Sequence, residues 1–307
     1  MRAPGPVLKA VAIGVMIAIW GTTWAAIRVG LADVPPFTGV ALRFALASVV
    51  LLGVALALGL RPGAAARERR LWLVHGTLSF AVSYTVTYWA QQWVPSGLTA
   101  VLFATFPLFL VLLAHPFLPG ERLGPLAALG IVLGFGGVTV IFSEDLAVLG
   151  GREVAIASAV MLLAPLASAA GNVVIKRWGK GVHPVSLNFG GMALTALVVG
   201  ALAAAVERGR PVEMTTPAVL SILYLALFGS ALAFCLYFWL IQHMPATQLG
   251  LIAYAIPVVA VCVGAAAFDE PVTVRLVGGA VLVIAGTALA SRRRRPAPVP
   301  SPAATAG

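Results

Sequence analysis

The residues best equipped to recognise a ligand in this 307-residue chain are polar or charged side chains set inside apolar runs. Arg43 stands seven residues past Pro36, ~10 Å along a helix at ~1.5 Å per residue. A cation at the centre of a membrane helix costs ~2.5–3.5 kcal/mol on insertion scales. It can snorkel outward, hold carbonyls at a helix end, or take a substrate carboxylate. Thr77, Tyr84, Tyr88 and Gln91 recur at the spacing of one helix face. Ser158, Pro165, Asn172 and Lys176 do the same further on, as do Asn188 with Thr195 and Thr247 with Tyr254. Facing lipid, each hydroxyl or amide would lose hydrogen bonds, so these stripes are expected to point inward, to a wet cavity or a dry helix contact. Trp20, Thr23 and Trp24 complete the candidate substrate cavity, with Pro107 and Pro257, whose missing N–H groups free a carbonyl for a substrate or a hinge.

This is chemistry of recognition rather than of bond making. No Asp or Glu falls in the middle of an apolar run, and neither HExxH nor HxxxD occurs. A membrane-embedded lipid-modifying enzyme, the reading from another class, needs a nucleophile, paired carboxylates or a metal cluster at depth. No GxxxxGK[ST] loop supports an ATP-driven pump. No catalytic residue, cofactor or metal is expected, and Cys235 and Cys262 read as small hydrophobes. Glu121 and Glu270 stand where the fifth and tenth runs begin and are expected to cap those helices.

The elements that position these residues are apolar throughout. Hydrophobic residues make up 61% of the chain and charged ones 10%, against about 25% charged in soluble domains. The lipid bilayer is therefore the expected partner. Nucleic acid is not, despite a pI near 10.6, because the positive charge sits in short loops and the tail. Ten apolar runs are expected as helices, near 8–31, 37–60, 71–93, 96–118, 123–142, 153–177, 184–206, 217–241, 246–268 and 272–291. The fold class is all-α and polytopic. With the N-terminus inside, 14 of the 20 Lys and Arg fall on the inner side and five outside, with Arg43 within a span. The positive-inside rule then places a multi-pass protein in the cell membrane with both termini cytoplasmic.

The second five runs echo the first five. At an offset of 150 residues Trp89 meets Trp239, Gln92 meets Gln242, Pro95 meets Pro245 and Pro107 meets Pro257. Five spans per half is an odd number, so the halves must lie in opposite orientation, as two inverted five-helix repeats around a central cavity. The expected units are 1–145, 150–291 and a disordered basic tail over 292–307. Gly130, Gly134 and Gly137, and Gly278, Gly279 and Gly286, give the fifth and tenth runs faces of small residues. Packing within the chain is one use of those faces; a homodimer is the other.

Trp20-Gly21-Thr22-Thr23, Pro35-Pro36 followed by Arg43-Phe44, Pro107, Glu121-Arg122, Gly130 and Gly137 resemble the EamA-type transporters of the drug/metabolite transporter superfamily. The second half repeats the later part as Pro257, Glu270-Pro271, Gly279 and Gly286, and departs where Ser168 stands opposite Trp20. The resemblance implies the ten-helix inverted-repeat fold and export of amino acids or related metabolites. The expected function is a secondary exporter of small amphipathic molecules by alternating access. A multidrug or cation exporter is the alternative within transport, disfavoured because no mid-membrane carboxylate waits for a cation.

Overall fold

The computed structural model describes residues 5–118, 123–143, 151–243 and 246–291. Glu121, Arg122, Pro245 and the tail 292–307 lie outside them, as do the side chains of Trp239, Gln242, His243 and Thr247.

The described residues are helical, and bends divide several helices into segments. In chain order these are α1 (Pro6–Leu31), α2 (Pro36–Ala57), α3 (Ala66–Val74), α4 (Ser83–Ala90), α5 (Ser96–Phe103), α6 (Phe106–Phe117), α7 (Pro125–Phe142), α8 (Arg152–Met161), α9 (Leu163–Trp178), α10 (Pro184–Val206), α11 (Thr216–Ala226), α12 (Ala233–His243), α13 (Ala246–Phe268) and α14 (Val274–Ala290). A π-helical segment, His75–Val82, joins α3 to α4, and a second, Leu227–Leu232, joins α11 to α12. Seven helical stretches are long and apolar enough to cross a membrane, and two more, Ile252–Phe268 and Val274–Ala290, are apolar but shorter. The surface is correspondingly apolar: Leu197 is 74% exposed while Arg43 is 2% exposed. That inversion suits a chain whose solvent is lipid. The chain over 66–90 begins with Arg67, Glu68, Arg69 and Arg70 inside α3, so this helix starts earlier than its apolar run.

Two crossings form the scaffold. α2 packs along α10, and α7 along α14. At the second, glycines bring the backbones together. A Cβ on Gly137 would stand 2.5 Å from Gly279 O, and one on Gly286 2.5 Å from Gly130 O. The glycine face is thus used inside the chain. Gly278, expected on it, faces open space.

Around the scaffold, α1 lies against α13 and α9 against α6. These two pairs differ in shape. The helical path of α5 and α6 breaks at Ala104–Thr105, and that of α8 and α9 at Leu162. α1 and α13 run unbroken. Pro107 therefore lies in the first turn of α6, where its missing N–H costs nothing, whereas Pro257 lies inside α13. Pro165 likewise falls in the first turn of α9, just past a break. The expectation that Pro107 and Pro257 each free a carbonyl by a missing N–H holds only for Pro257. The break at Ala104 is closed from outside: Thr287 Oγ1 of α14 donates to Ala104 O at 3.2 Å.

Helix starts are also served across the fold. Glu207, buried, accepts from Phe37 N and Thr38 N, both at 2.8 Å, and from Thr38 Oγ1 at 2.7 Å. Glu270 accepts from Ser96 N at 2.7 Å, Ser96 Oγ at 2.9 Å and Gly97 N at 2.9 Å, and pairs with Arg28. This corrects the expected role of Glu270: it lies four residues before α14 and caps α5 instead, because the loop 269–273 turns its carboxylate back onto that helix start. At both starts the cap position is a proline, Pro35 or Pro95, with no side chain able to cap, so a distant carboxylate satisfies the first N–H groups.

Gly286→Val should force α7 and α14 apart and lower the stability of the detergent-purified protein by about 1–3 kcal/mol. Gly278→Val, into open space, should change it by less than about 0.5 kcal/mol. Thermal unfolding of the two variants side by side measures the difference.

Candidate functional site

The two π-helical segments lie at matching places in the chain. Shifted by 150 residues, Leu227–Leu232 falls on 77–82, and both segments end at the same matched position, Val82 and Leu232. A π turn inserts one residue into the helical repeat and re-aims the side chains beyond it; such turns concentrate at functional sites. Here the first presents Phe80 and the second presents Gly229 and Ser230 to one buried cluster.

Arg43 of α2 is the centre of that cluster. Its Nε donates to Ser230 Oγ at 2.9 Å, and its Nη1 makes a long 3.4 Å bond to Tyr88 OH. The guanidinium carbon lies 4.7 Å from the Tyr84 ring centre and 5.4 Å from that of Phe44. Among the described residues no carboxylate lies within ion-pairing distance of Arg43. Its charge is met by two hydroxyls and two aromatic faces. Both contacts are favourable, but neither neutralises the charge. Trp20 of α1 closes one side, its Nε1 donating to Gly229 O at 3.3 Å and its ring set edge-on to Phe234 at 5.8 Å. Thr23, buried, bonds Trp20 O and packs on Gly229. Phe80 bridges Phe44 and Phe234 at 5.3 and 5.5 Å.

A second polar pair lies one turn along α4. Gln91 Nε2 donates to Trp24 O at 2.6 Å. A carbonyl can only accept, so the amide nitrogen must face it. That leaves Gln91 Oε1 buried without a partner, and Trp24 Nε1 is likewise buried and unpartnered. An unused acceptor and an unused donor thus occur in one neighbourhood, with Phe103 5.4 Å from the Trp24 ring.

Of the expected cavity residues, Trp20, Thr23, Arg43, Tyr84 and Tyr88 come together, with Trp24 and Gln91 adjoining. Asn188 sits on the far side of Phe80, where His75 Nε2 donates to its Oδ1 at 3.2 Å and the His75 ring meets Phe80 edge-on at 4.5 Å. His75 is thus a buried residue of the interior. Asn172 bonds Ser168 O of its own helix at 2.8 Å. Tyr254 is half-buried and Pro257 buried on α13, while Pro107 is half-buried on α6. Thr77, expected on the Tyr84 stripe, is exposed, and Lys176 is exposed at the end of α9. The extra residue of the π segment shifts the phase upstream of Tyr84, turning Thr77 outward and His75, Ser79 and Phe80 inward. Phe44, Phe80, Gly229, Ser230 and Phe234 belong to the cluster although helical spacing does not single them out. One signal bears on two of them: Ser79 and Gly229, small residues at matched positions, each precede a buried site residue.

The profile described as the EamA-like transporter family matches residues 8–143 and, a second time, residues 155–292. Transporter YoaV of Bacillus subtilis, named as uncharacterized, is 25% identical over 87% of this chain and 91% of its own. The uncharacterized inner membrane transporter YedA of Escherichia coli K12 is 31% identical over 82% of this chain and 80% of its own. A protein of Streptantibioticus cattleyicolor named "Probable terminal-alkyne amino-acid exporter" is 31% identical over 92% and 93%. A crystal structure with 23% identity superposes with a TM-score of 0.65 over 94% of this chain and 97% of that one, which shows the fold.

Ser230→Ala should leave Arg43 Nε buried and unpaired, lowering stability by about 1–3 kcal/mol. Arg43→Met, which removes the charge and keeps the volume, should cost less than Ser230→Ala, because it abolishes a buried cation that has no counter-charge. Thermal unfolding of both variants in one detergent decides the order.

Proposed function

From the premise that this chain belongs to the EamA-like transporter family, we propose that it is a secondary exporter of small amphipathic metabolites, amino acids first. The single observation that carries this reading is Arg43: buried, cationic and without a carboxylate partner among the described residues. A substrate carboxylate would supply the missing charge, with Ser230 and Tyr88 hydroxyls beside it. Gln91 follows Tyr88 by three residues on the same face, ~4.5 Å along the axis. Its free Oε1 suits a substrate ammonium. A lipophilic cation finds the opposite of what it needs there. The name of the Streptantibioticus relative is consistent with an amino-acid substrate.

Transport would proceed by alternating access through ten spans, in two inverted repeats, with both termini cytoplasmic. Several observations support the repeat: the 150-residue echo, the double family match, the paired π segments, and scaffold crossings that each join one helix to its counterpart. The difference between the straight pair α1 and α13 and the broken pair α9 and α6 supports two exchangeable states. Burial supports a reading of this arrangement as one closed to substrate. Arg43, Phe44, Tyr88 and Gln91 are all buried, so a substrate enters only when an arm moves.

In proteoliposomes, Arg43→Met should reduce the flux of neutral amino acids by about tenfold or more, the scale of one charged hydrogen bond. Flux of the corresponding amines, which lack the carboxylate, should change far less. A paired resistance assay in a host lacking its own exporters checks the class. Protection against ethidium or methyl viologen, with none against toxic amino-acid analogues, would overturn the reading.

A further inference from the structure

At the end of α2 opposite Glu207, the segment 60–68 and the segment 180–186 enclose a cavity of about 300 Å³. It lies far along the scaffold from Arg43 and shares no residue with that cluster. Three cations line it, Arg61, Lys180 and Arg67, against one carboxylate, Glu68. The geometry holds some of these groups in place. Arg67, exposed, donates Nη2 to Trp178 O at the end of α9, which holds its guanidinium at the cavity wall. Ser186, buried, donates its hydroxyl to Glu68 Oε1, which draws the carboxylate toward the floor. Arg61 and Lys180 are exposed at the rim, and neither makes an ion pair among the described residues. The cavity also receives the first turns of α3 and α10, whose dipoles add positive potential.

We propose that this cavity binds a phosphate-bearing anion. Guanidinium forks and ammonium groups are the usual partners of phosphate oxygens, and here one guanidinium, that of Arg67, is held by a hydrogen bond. The volume leaves room for more than a bare ion. The source is either the headgroup of an anionic lipid or a free phosphate. The lipid source rests on the proposed orientation, which puts the cavity at the cytoplasmic headgroup level, where basic pockets between helices hold such lipids. Anion binding itself does not depend on that orientation or on the transport reading. Because the rim cations are exposed, binding should weaken as salt rises.

The test uses the full-length protein purified in detergent. Native mass spectrometry follows added phosphatidylglycerol or phosphatidylcholine, and thermal unfolding at constant ionic strength follows inorganic phosphate. The site variant is Arg61→Gln with Lys180→Gln. The charge-matched control is Arg208→Gln with Arg210→Gln, exposed residues at the other end of the scaffold. Wild type should prefer phosphatidylglycerol over phosphatidylcholine, and the site variant should lose about tenfold or more of phosphatidylglycerol binding. The control should keep it. A phosphate-dependent rise in melting temperature that only the site variant loses, without lipid preference, supports the proposal and identifies a free phosphate as the source. Equal binding of both probes by wild type and site variant, equal losses in site variant and control, or no binding of either probe by wild type, would overturn it. Amino-acid flux in the site variant is measured alongside, so that a failed cavity and a failed transport reading are told apart.

Discussion

Inside a bilayer every backbone N–H and C=O must find its partner within the protein, and this fold meets that demand at its irregular points with side chains from the other half of the sequence. The first N–H groups of α2 are held by Glu207 and those of α5 by Glu270. The carbonyl at the break after α5 is held by Thr287, that of Gly229 by Trp20, that of Gly76 by Thr195 and that of Ala26 by Ser221. In each case the donor and acceptor belong to different halves. The bends and early starts that shape the interior are therefore tertiary features, and neither half can satisfy its own backbone alone.

Arg43 stands apart from this pattern of satisfaction. Burial of a cation is tolerable when a carboxylate or several carbonyls answer it; here the partners are neutral hydroxyls and ring faces. The same neighbourhood contains an amide oxygen and an indole N–H without partners. Among the described residues no carboxylate answers this guanidinium, whereas Glu207 and Glu270 each serve two backbone N–H groups. Under the proposed function, the carboxylate and ammonium of a zwitterionic substrate would meet the guanidinium and the amide oxygen. Glu207 and Glu270, the buried carboxylates of the described residues, serve helix starts instead, and among those residues no carboxylate pairs with Arg43.

Much of this was legible in the residues, and the remainder was hidden for identifiable causes. Long apolar runs with short loops gave helix positions close to the observed ones, because bilayer thickness leaves little freedom in length. Helical spacing puts Tyr84, Tyr88 and Gln91 on one inward face, as observed, but misplaces Thr77, since a regular period cannot anticipate a π turn between them. Arg43 was visible as a lone charge. Its hydroxyl partner Ser230 was not, because a serine in mid-span more often bonds its own helix. Glu270 looked like a cap for the helix that follows it. Only the folded chain shows that the loop carries it to a helix start 174 residues away.

The irregularities also have a distribution that bears on mechanism. Under the proposed repeat, α5 and α6 correspond to α13, and α8 and α9 to α1, yet the first of each pair is broken and the second is not. The broken helices lie against each other, α6 on α9, and so do the straight ones, α1 on α13. Pro107 and Pro257 occupy matched positions with unlike surroundings: one starts a helix after a break, the other sits within an unbroken helix. Similar sequence patterns thus hold two conformations at once, one in each half. Under the proposed repeat, exchanging the bend between the broken and straight helices, while the glycine-packed α7 and α14 and the α2–α10 crossing stay fixed, would convert this arrangement into its mirror. The bend would need only to move, since Pro257 at the matched place in the straight helix α13 already leaves the backbone one bond short.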